Sequence, residues 1–256
     1  MIDPHAIIDP SAVIADDVVI GPWTRVGPDV EIGPGTVIAE HVIVRGPTKI
    51  GRNNRIFQFS SVGEDTADMK YQGERTRLEI GDNNIIREGV TLHRGTVQDK
   101  AVTRIGSNNL LMAYVHVGHD CVVGNNIILI NNASLAGHVI VEDWAIISGY
   151  SLVHQRCRIG AHCYVGMGSH ISKDVPAYML ALGQPAKIRT INLEGLKRRE
   201  FSADAIRAIR QAFKLIYRQK LTPEEALPQI QQLAEEHSEL DALVRSLKET
   251  ERGITR

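Results

Sequence analysis

The feature that most constrains this chain is an aliphatic residue that recurs at every sixth position. The repeat begins at Ile8 and keeps one phase as far as Leu92, then shifts by one residue and runs from Ile105 to Ile171. Amphipathic helices do not repeat every six residues, whereas short strands joined by tight turns can. The pattern predicts a parallel β-helix in which each hexad supplies one strand and one turn.

The composition suits such a narrow solenoid, because 43% of the residues are hydrophobic but only 5% are aromatic. The net charge of −1 gives no reason to expect binding to nucleic acid or to an anionic membrane surface. The sequence has no apolar run of roughly 18 residues and no charged leader followed by an apolar segment. We therefore expect a soluble, cytoplasmic protein without membrane insertion.

The three cysteines, Cys121, Cys157 and Cys163, all occupy the fifth place of their hexads. Other residues at that place, such as Ala133 and Ser169, are also small. No pair of cysteines forms a CxxC motif. We interpret the cysteines as small inward-facing side chains in a reducing compartment rather than as metal ligands or nucleophiles.

Three hexads make about one coil, so residues 18 apart should stack at the spacing of about 4.8 Å between strands. The repeat itself does not determine the handedness of the coil. It is interrupted at residues 64–77 and 95–103, where polar residues replace the aliphatic ones. Loops that leave a rigid scaffold often carry function, and the alternative for each is a tolerated surface insertion.

The hexads end after Val175, and helical patterns follow. Ser202 is placed to cap a helix, and residues 222–225 (TPEE) form a capping box with proline at the first helical position. We predict two domains, a β-helix of residues 1–190 and a helical domain of residues 191–256. The helical domain would cover the last coil, whose edge would otherwise be unpaired.

One group of polar residues at a single predicted corner could carry chemistry. Asp120 and His138 are 18 residues apart and should lie on adjacent coils, while His119 should stack on Gly137. An imidazole with an unperturbed pKa of about 6.5 beside a carboxylate can act as a general base. Because the repeat offers no serine or cysteine nucleophile, this points to direct acyl transfer to a hydroxyl or amine. The alternative is a zinc site with ligands from His116, His119, His138 and His154.

A second polar segment follows the β-helix at residues 191–199, where asparagine and glutamate precede Lys197, Arg198 and Arg199. Guanidinium groups suit a diphosphate, although a solvated helix face is the alternative. Further basic residues at roughly helical spacing could receive an acidic protein partner or form a solvated face: Arg207, Arg210, Lys214 and Arg218. No glycine-rich phosphate loop and no dinucleotide-binding motif is present.

Several longer motifs are more specific than the hexads. The most informative are residues 93–96 (HRGT) and 194–199 (EGLKRR), and others lie at residues 68–71, 108–112, 116–120, 135–138 and 153–155. Together they resemble, essentially from end to end, the UDP-N-acetylglucosamine O-acyltransferase family, which catalyses the first step of lipid A synthesis in Gram-negative bacteria. The hexads alone would indicate only a hexapeptide transferase.

The resemblance implies a left-handed β-helix that forms a homotrimer, with active sites between subunits and with neither a metal nor an organic cofactor. The donor would be a (3R)-3-hydroxyacyl chain on acyl carrier protein. The acceptor would be the glucosamine 3-hydroxyl of UDP-GlcNAc.

The resemblance also implies roles for individual residues. His119 would be the general base, Asp120 its orienting partner, and the Gly137 N–H the donor to the oxyanion. Sugar and substrate contacts would come from Asp68, Lys70, His138 and Gln155, with His116 and His154 in a secondary position. Contacts to the UDP portion would come from Asn192, Glu194, Arg198 and Arg199.

Met167 stands where family members that transfer longer chains have glycine. A methionine there would fill space that the last methylenes of the chain need, and each excluded methylene is worth about 1 kcal/mol or more. We therefore expect a preference for acyl chains of about ten carbons.

Three other classes are open to this sequence. An N-acyltransferase acting later in the same pathway usually has an additional N-terminal domain, whereas the hexads here begin close to Met1. A zinc carbonic anhydrase would use the histidines as ligands. A non-enzymatic ice-binding β-helix would show flat Thr-x-Thr faces, which this chain lacks.

Overall fold

The computed structural model describes residues 1–256, and its β-strands wind into a parallel β-helix with three strands per coil. Where the repeat is intact, residues 18 apart pair with each other, as Ile7 does with Arg25 and His116 with Ser134. The predicted parallel β-helix is therefore confirmed. The strands form three sheets, here called face 1, face 2 and face 3 in the order in which the chain enters them.

The strands are two to six residues long and are numbered along the chain. Face 1 contains β1 (Ile7–Ile8), β4 (Arg25–Val26), β7 (Ile43–Val44), β10 (Ser61–Glu64), β13 (Thr91–His93), β16 (His116–Val117), β19 (Ser134–Leu135), β22 (Leu152–Val153) and β25 (His170–Ile171). Face 2 contains β2 (Val13–Ile14), β5 (Val30–Ile32), β8 (Thr48–Ile50), β11 (Arg77–Ile80), β14 (Val102–Ile105), β17 (Val122–Val123), β20 (Ile140–Val141) and β23 (Arg158–Ile159). Face 3 contains β3 (Val19–Ile20), β6 (Val37–Ile38), β9 (Arg55–Ile56), β12 (Ile85–Ile86), β15 (Leu110–Leu111), β18 (Ile128–Leu129), β21 (Ile146–Ile147), β24 (Tyr164–Val165), β26 (Met179–Gly183) and β27 (Ala186–Ile191).

The turns between these faces stack into three corners, which we call corner 1–2, corner 2–3 and corner 3–1 after the faces they join. Both interruptions of the repeat leave the coil at corner 1–2, between β10 and β11 and between β13 and β14. The loops comprise residues 65–76 and 94–101, because Glu64, Arg77 and residues 102–103 of the predicted segments 64–77 and 95–103 belong to strands, and the second loop begins one residue earlier than predicted. Two independent insertions at the same corner make it the first candidate for a functional site on the solenoid.

The interior consists of the aliphatic residues of the repeat together with small polar ones. Asn54, Asn84 and Asn109 form a buried ladder in which each side-chain oxygen accepts the backbone N–H of the next, over 30 and then 25 residues. The inserted loops therefore lengthen two coils without breaking the stack. The three cysteines are unpaired and buried, as expected.

The chain leaves the coil through the antiparallel pair β26–β27 and becomes helical. The helices are α1 (Leu193–Arg198), α2 (Ala203–Phe213), which continues into a π-helical turn (Lys214–Arg218), α3 (Pro223–Glu236), a 3₁₀ turn (Ser238–Leu240) and α4 (Asp241–Lys248). Ser202 caps α2, and Thr222 and Glu225 form the predicted capping box of α3. None of the helices has the length and apolar character that a membrane span requires.

The helices close the end of the β-helix. The Ala177 N–H donates to Ser246 Oγ over 3.1 Å, and Val175 of the last coil shares one continuous hydrophobic core with Leu243 of α4. The change from strand to helix falls at the predicted position. The division into two domains there stays a prediction.

Candidate active site

Corner 1–2 collects most of the residues that the sequence singled out. Five successive coils meet there, and each contributes a loop or a turn. In chain order these carry Asp68 and Lys70, the loop of residues 94–101, His119 and Asp120, Gly137 and His138, and finally His154 and Gln155. His116 lies on β16, directly before this corner.

His119 and Asp120 form a hydrogen-bonded pair. His119 Nδ1 lies 2.9 Å from Asp120 Oδ2. Because an ionised carboxylate can only accept hydrogen bonds, Nδ1 carries the proton of the neutral ring and Nε2 is left with a free lone pair. The geometry is that of a base whose tautomer is fixed by its neighbour.

The loop of residues 94–101 holds Asp120 in place. The carboxylate is completely buried, and it accepts the Thr96 N–H at 3.0 Å and the Thr96 Oγ1 hydroxyl at 2.6 Å. Burial by itself would raise the pKa of the Asp120 carboxyl, but the hydrogen bonds from His119 and Thr96 outweigh it and leave the pKa below its ordinary value. Asp120 is therefore ionised at neutral pH and can stabilise a protonated imidazole.

Gly137 lies against the other side of the His119 ring. A Cβ atom at this position would be 2.5 Å from His119 Nε2 and Cε1, so no side chain fits there. The Gly137 N–H has no hydrogen-bond acceptor in the chain. The fold does not need this N–H, because the same place in earlier hexads is taken by prolines, which have none: Pro10, Pro22, Pro28 and Pro34. It is thus available for a ligand oxygen next to the free nitrogen of His119.

His138 completes the centre of this corner. Its ring meets that of His119 edge-on, with 4.8 Å between the ring centroids. His138 Nδ1 lies 2.7 Å from Asp99 Oδ2, in the same loop that holds Asp120. Each of the two histidines therefore has its own carboxylate.

Two further imidazoles extend the row along face 1. His93 and His116 meet edge-on at 5.0 Å, and His116 Nδ1 lies 2.8 Å from Thr91 Oγ1. Burial is the main cause that lowers the pKa of both rings, so both are neutral at pH 7. His93 was not among the predicted site residues, although the HRGT motif contains it, because the strand register pairs His116 with Thr91 and gives no sign of the ring contact.

The loop of residues 65–76 is anchored by Arg94, whose side chain is only 7% exposed. Its guanidinium donates to the carbonyl oxygens of Gly46 and Gly63 and pairs with Asp65. Sequence reasoning missed this role, because a buried arginine has no signature in the repeat.

The remaining predicted residues of this corner are solvent-accessible. Asp68 Oδ1 accepts the Lys70 N–H at 2.9 Å, which fixes the tip of the loop of residues 65–76, and the Lys70 side chain is free. His154 and Gln155 are exposed in the last turn.

The predicted UDP-binding residues lie elsewhere in the chain. Asn192, Glu194, Arg198 and Arg199 belong to α1 and its caps, beside corner 2–3. Arg199 lies over the Trp144 ring and donates to the Trp144 carbonyl oxygen at 2.7 Å, while its Nη1 is buried without a partner.

Asn192 has a structural role within the chain. It is buried, caps α1 and donates to the His162 carbonyl oxygen at 2.9 Å. Burial, followed by the nearby Arg199 cation, lowers the pKa of the His162 ring to about 4, so this imidazole is neutral. A helix cap at Asn192 was not foreseen from the sequence.

Met167 lies at the third corner, corner 3–1, and is 74% exposed. Within the chain it lies at a different corner from His119, at the other edge of face 1. The predicted site is therefore distributed over all three corners of one chain.

The structure brings together only some of the histidines that the sequence offered as zinc ligands. Ligand atoms of His119, Asp120 and His138 lie within 4.8 Å of one another, but His116 and His154 do not join them. The Asp120 carboxylate is already occupied by His119 and Thr96. Tetrahedral zinc at about 2.0–2.2 Å from each ligand needs a tighter group, so the geometry favours the general-base interpretation.

Comparison with known proteins decides the family. Residues 174–255 match the family described as "Udp N-acetylglucosamine O-acyltransferase; Domain 2", and residues 11–46 match the bacterial transferase hexapeptide repeat. The acyl-[acyl-carrier-protein]–UDP-N-acetylglucosamine O-acyltransferase of Saccharophagus degradans is 62% identical over 222 residues, which are 87% of this chain and 86% of that protein. This chain belongs to the UDP-N-acetylglucosamine O-acyltransferase family.

Solved structures agree with this assignment. LpxA from Acinetobacter baumannii superimposes with a TM-score of 0.98 at 52% identity, over 100% of this chain and 99% of that one. The Arabidopsis UDP-N-acetylglucosamine acyltransferase gives a TM-score of 0.86 at 35% identity, with each chain covered completely. The predicted left-handed parallel β-helix with C-terminal helices and the predicted acyltransferase activity are thereby confirmed.

Proposed function

We propose that this acyltransferase moves a (3R)-3-hydroxyacyl chain from acyl carrier protein to the 3-hydroxyl of UDP-GlcNAc, the first step of lipid A synthesis. The curated relatives carry names that state an acyl donor on acyl carrier protein and UDP-N-acetylglucosamine as the molecule that is O-acylated. One observation at corner 1–2 supports this chemistry. The His119 ring, whose Nε2 has a free lone pair, lies against Gly137, whose N–H has no acceptor in the chain.

The proposed reaction is a direct transfer. His119 Nε2 takes the proton of the acceptor hydroxyl as its oxygen attacks the thioester carbonyl, and Asp120 stabilises the imidazolium that forms. The Gly137 N–H donates to the oxyanion, a contact commonly worth about 3 kcal/mol. Collapse of the intermediate forms the ester and expels the carrier thiolate, which takes the proton back from the imidazolium.

The experiment that tests this function is a transfer assay with UDP-GlcNAc and 3-hydroxyacyl carrier protein. We expect His119→Ala to lower kcat by at least about a thousandfold while the circular-dichroism melting temperature stays unchanged. His237→Ala is the matched control, because His237 ends α3 in the helical part of the chain and its ring makes no hydrogen bond. No product from the wild-type protein would refute the substrates, and an active His119→Ala would refute the base.

We propose that the working unit is a homotrimer, located in the cytoplasm. Corner 3–1 exposes aromatic rings that are 57–67% accessible in the single chain: Trp23, Phe59, Tyr114 and Tyr150. Exposed apolar patches of this kind usually mark an interface. In a closed ring, a second copy seated there would bring its corner 1–2, which holds His119, towards Met167 of the first copy. The three unpaired cysteines suit a reducing compartment.

The proposed preference for donor acyl chains of a certain length rests on the same arrangement. We propose that Met167 of one subunit ends the acyl groove of its neighbour and sets a preference near ten carbons. Met167→Gly should shift the best donor towards longer chains, with the specificity ratio between successive lengths changing about fivefold or more per methylene. If Met167→Gly left the ranking of donors by acyl length unchanged in the same assay, Met167 would not limit the length of the acyl chain.

A further inference from the structure

The loop of residues 94–101 reaches across corner 1–2 and makes a contact that the proposed mechanism does not use. Asp99 Oδ2 lies 2.7 Å from His138 Nδ1, and both side chains are mostly buried in this contact. No other side-chain hydrogen bond involves the His138 ring. Asp99 is therefore the group that determines how this ring is turned.

The contact fixes the tautomer of His138. Nδ1 donates to the Asp99 carboxylate, so Nε2 of the neutral ring is an acceptor. The backbone at His138 is itself held in the left-handed region, at φ 63°, and the ring stands edge-on to His119. With the backbone and Nδ1 both fixed, Nε2 has one defined position beside the base.

We propose that Asp99 is a positioning residue that presents His138 Nε2 as a hydrogen-bond acceptor for a hydroxyl group of the bound acceptor sugar. This inference rests on the proposed function, because a sugar hydroxyl is the donor that would meet this nitrogen. Asp99 touches no reacting atom and acts through His138 alone. Thr96 of the same loop acts separately, through Asp120 on His119.

The tautomer can be observed without any substrate. In the wild-type protein, ¹⁵N chemical shifts of the His138 ring should show the proton on Nδ1. Asp99→Ala should move the ring to a mixture of tautomers, whereas Gln98→Ala, an exposed neighbour in the same loop, should not. An unchanged His138 spectrum in Asp99→Ala would overturn the positioning role, whatever the enzyme turns over.

Kinetics then test whether the effect passes through His138. Asp99→Ala should lower kcat/KM for UDP-GlcNAc about tenfold, the upper end of the usual scale for one lost hydrogen bond between uncharged groups, with an unchanged melting temperature. The same substitution is then made in a His138→Asn background, because asparagine tolerates the left-handed backbone. There Asp99→Ala should lower kcat/KM by a further factor of less than about two. Equal losses in both backgrounds, or no loss in either, would overturn the proposal.

The two hypotheses fail in different ways. If the wild-type protein does not acylate UDP-GlcNAc, the proposed function fails while the ¹⁵N result still decides whether Asp99 fixes His138. If acylation occurs and the double-variant pattern is additive, only the role of Asp99 fails.

Discussion

The proposed mechanism depends on the absence of a side chain at Gly137. Without a Cβ, Gly137 allows the His119 ring to lie directly against the backbone, with Nε2 close to the place where a side chain would begin. The proposed base and the proposed oxyanion donor thus belong to neighbouring residues, because two coils stack in register, one strand spacing apart. A side chain at Gly137 would have to push the imidazole away from the Gly137 N–H.

Gly137→Ala should therefore impair catalysis much more than folding. The new methyl would lie 2.5 Å from His119 Nε2, and a displaced base costs about a hundredfold in kcat. Gly27→Ala is the control, since its Cβ would meet nothing closer than 3.4 Å at the same corner. Steady-state kinetics and thermal melts of both variants check this, and a Gly137→Ala enzyme with normal kcat would remove Gly137 from the mechanism.

At the level of elements, the hexad repeat predicted those features whose positions are set by counting residues along the coil. The strands, the stacking of His119 on Gly137 and the two loops all follow from the hexad count, because every coil repeats the same geometry. The conformations of the two loops do not follow from the repeat. The contacts of Thr96 and Asp99 with the two corner residues, and the burial of Arg94, therefore could not be derived from the sequence.

Asn192 illustrates a second limit of sequence reasoning. Its motif indicated a ligand contact, but in the chain its side chain caps α1 and bonds to His162. Asparagine serves both purposes with the same atoms. Only the packing of α1 against corner 2–3 reveals the structural role.

Arg94 offers a test at the scale of a loop. Its guanidinium satisfies buried carbonyl oxygens and pairs with Asp65 at the base of the loop of residues 65–76. Arg94→Met leaves these acceptors unpaired, so we expect a loss of about 2–3 kcal/mol in stability and faster tryptic cleavage at Lys70. Arg75→Met, which removes a 75% exposed partner of Asp29, should leave the stability nearly unchanged.

Limited proteolysis followed by mass spectrometry and a denaturant titration measure the two effects together. Equal cleavage of Arg94→Met and the wild-type protein would show that Arg94 does not hold the loop.

At the scale of the molecule, the predicted site residues of one chain face in different directions. His119 lies at corner 1–2, Arg199 beside corner 2–3 and Met167 at corner 3–1. A parallel β-helix is a rigid prism, so no rearrangement within the chain brings its corners together. In the proposed homotrimer, one working site would then combine corners from different copies, arranged around a closed symmetry axis.

This arrangement predicts that two inactive variants can restore activity in mixed trimers. His119→Ala and Arg199→Ala should each be nearly inactive alone. When the two are co-expressed and trimers carrying both tags are purified, some sites receive His119 from one subunit and Arg199 from another. Each purified mixed trimer has one intact site of its three, so the mixture should show roughly a third of the wild-type activity in the transfer assay. If both residues served the same site from one chain, every site in the mixed trimers would lack one of them, and the purified mixture would be as inactive as either parent.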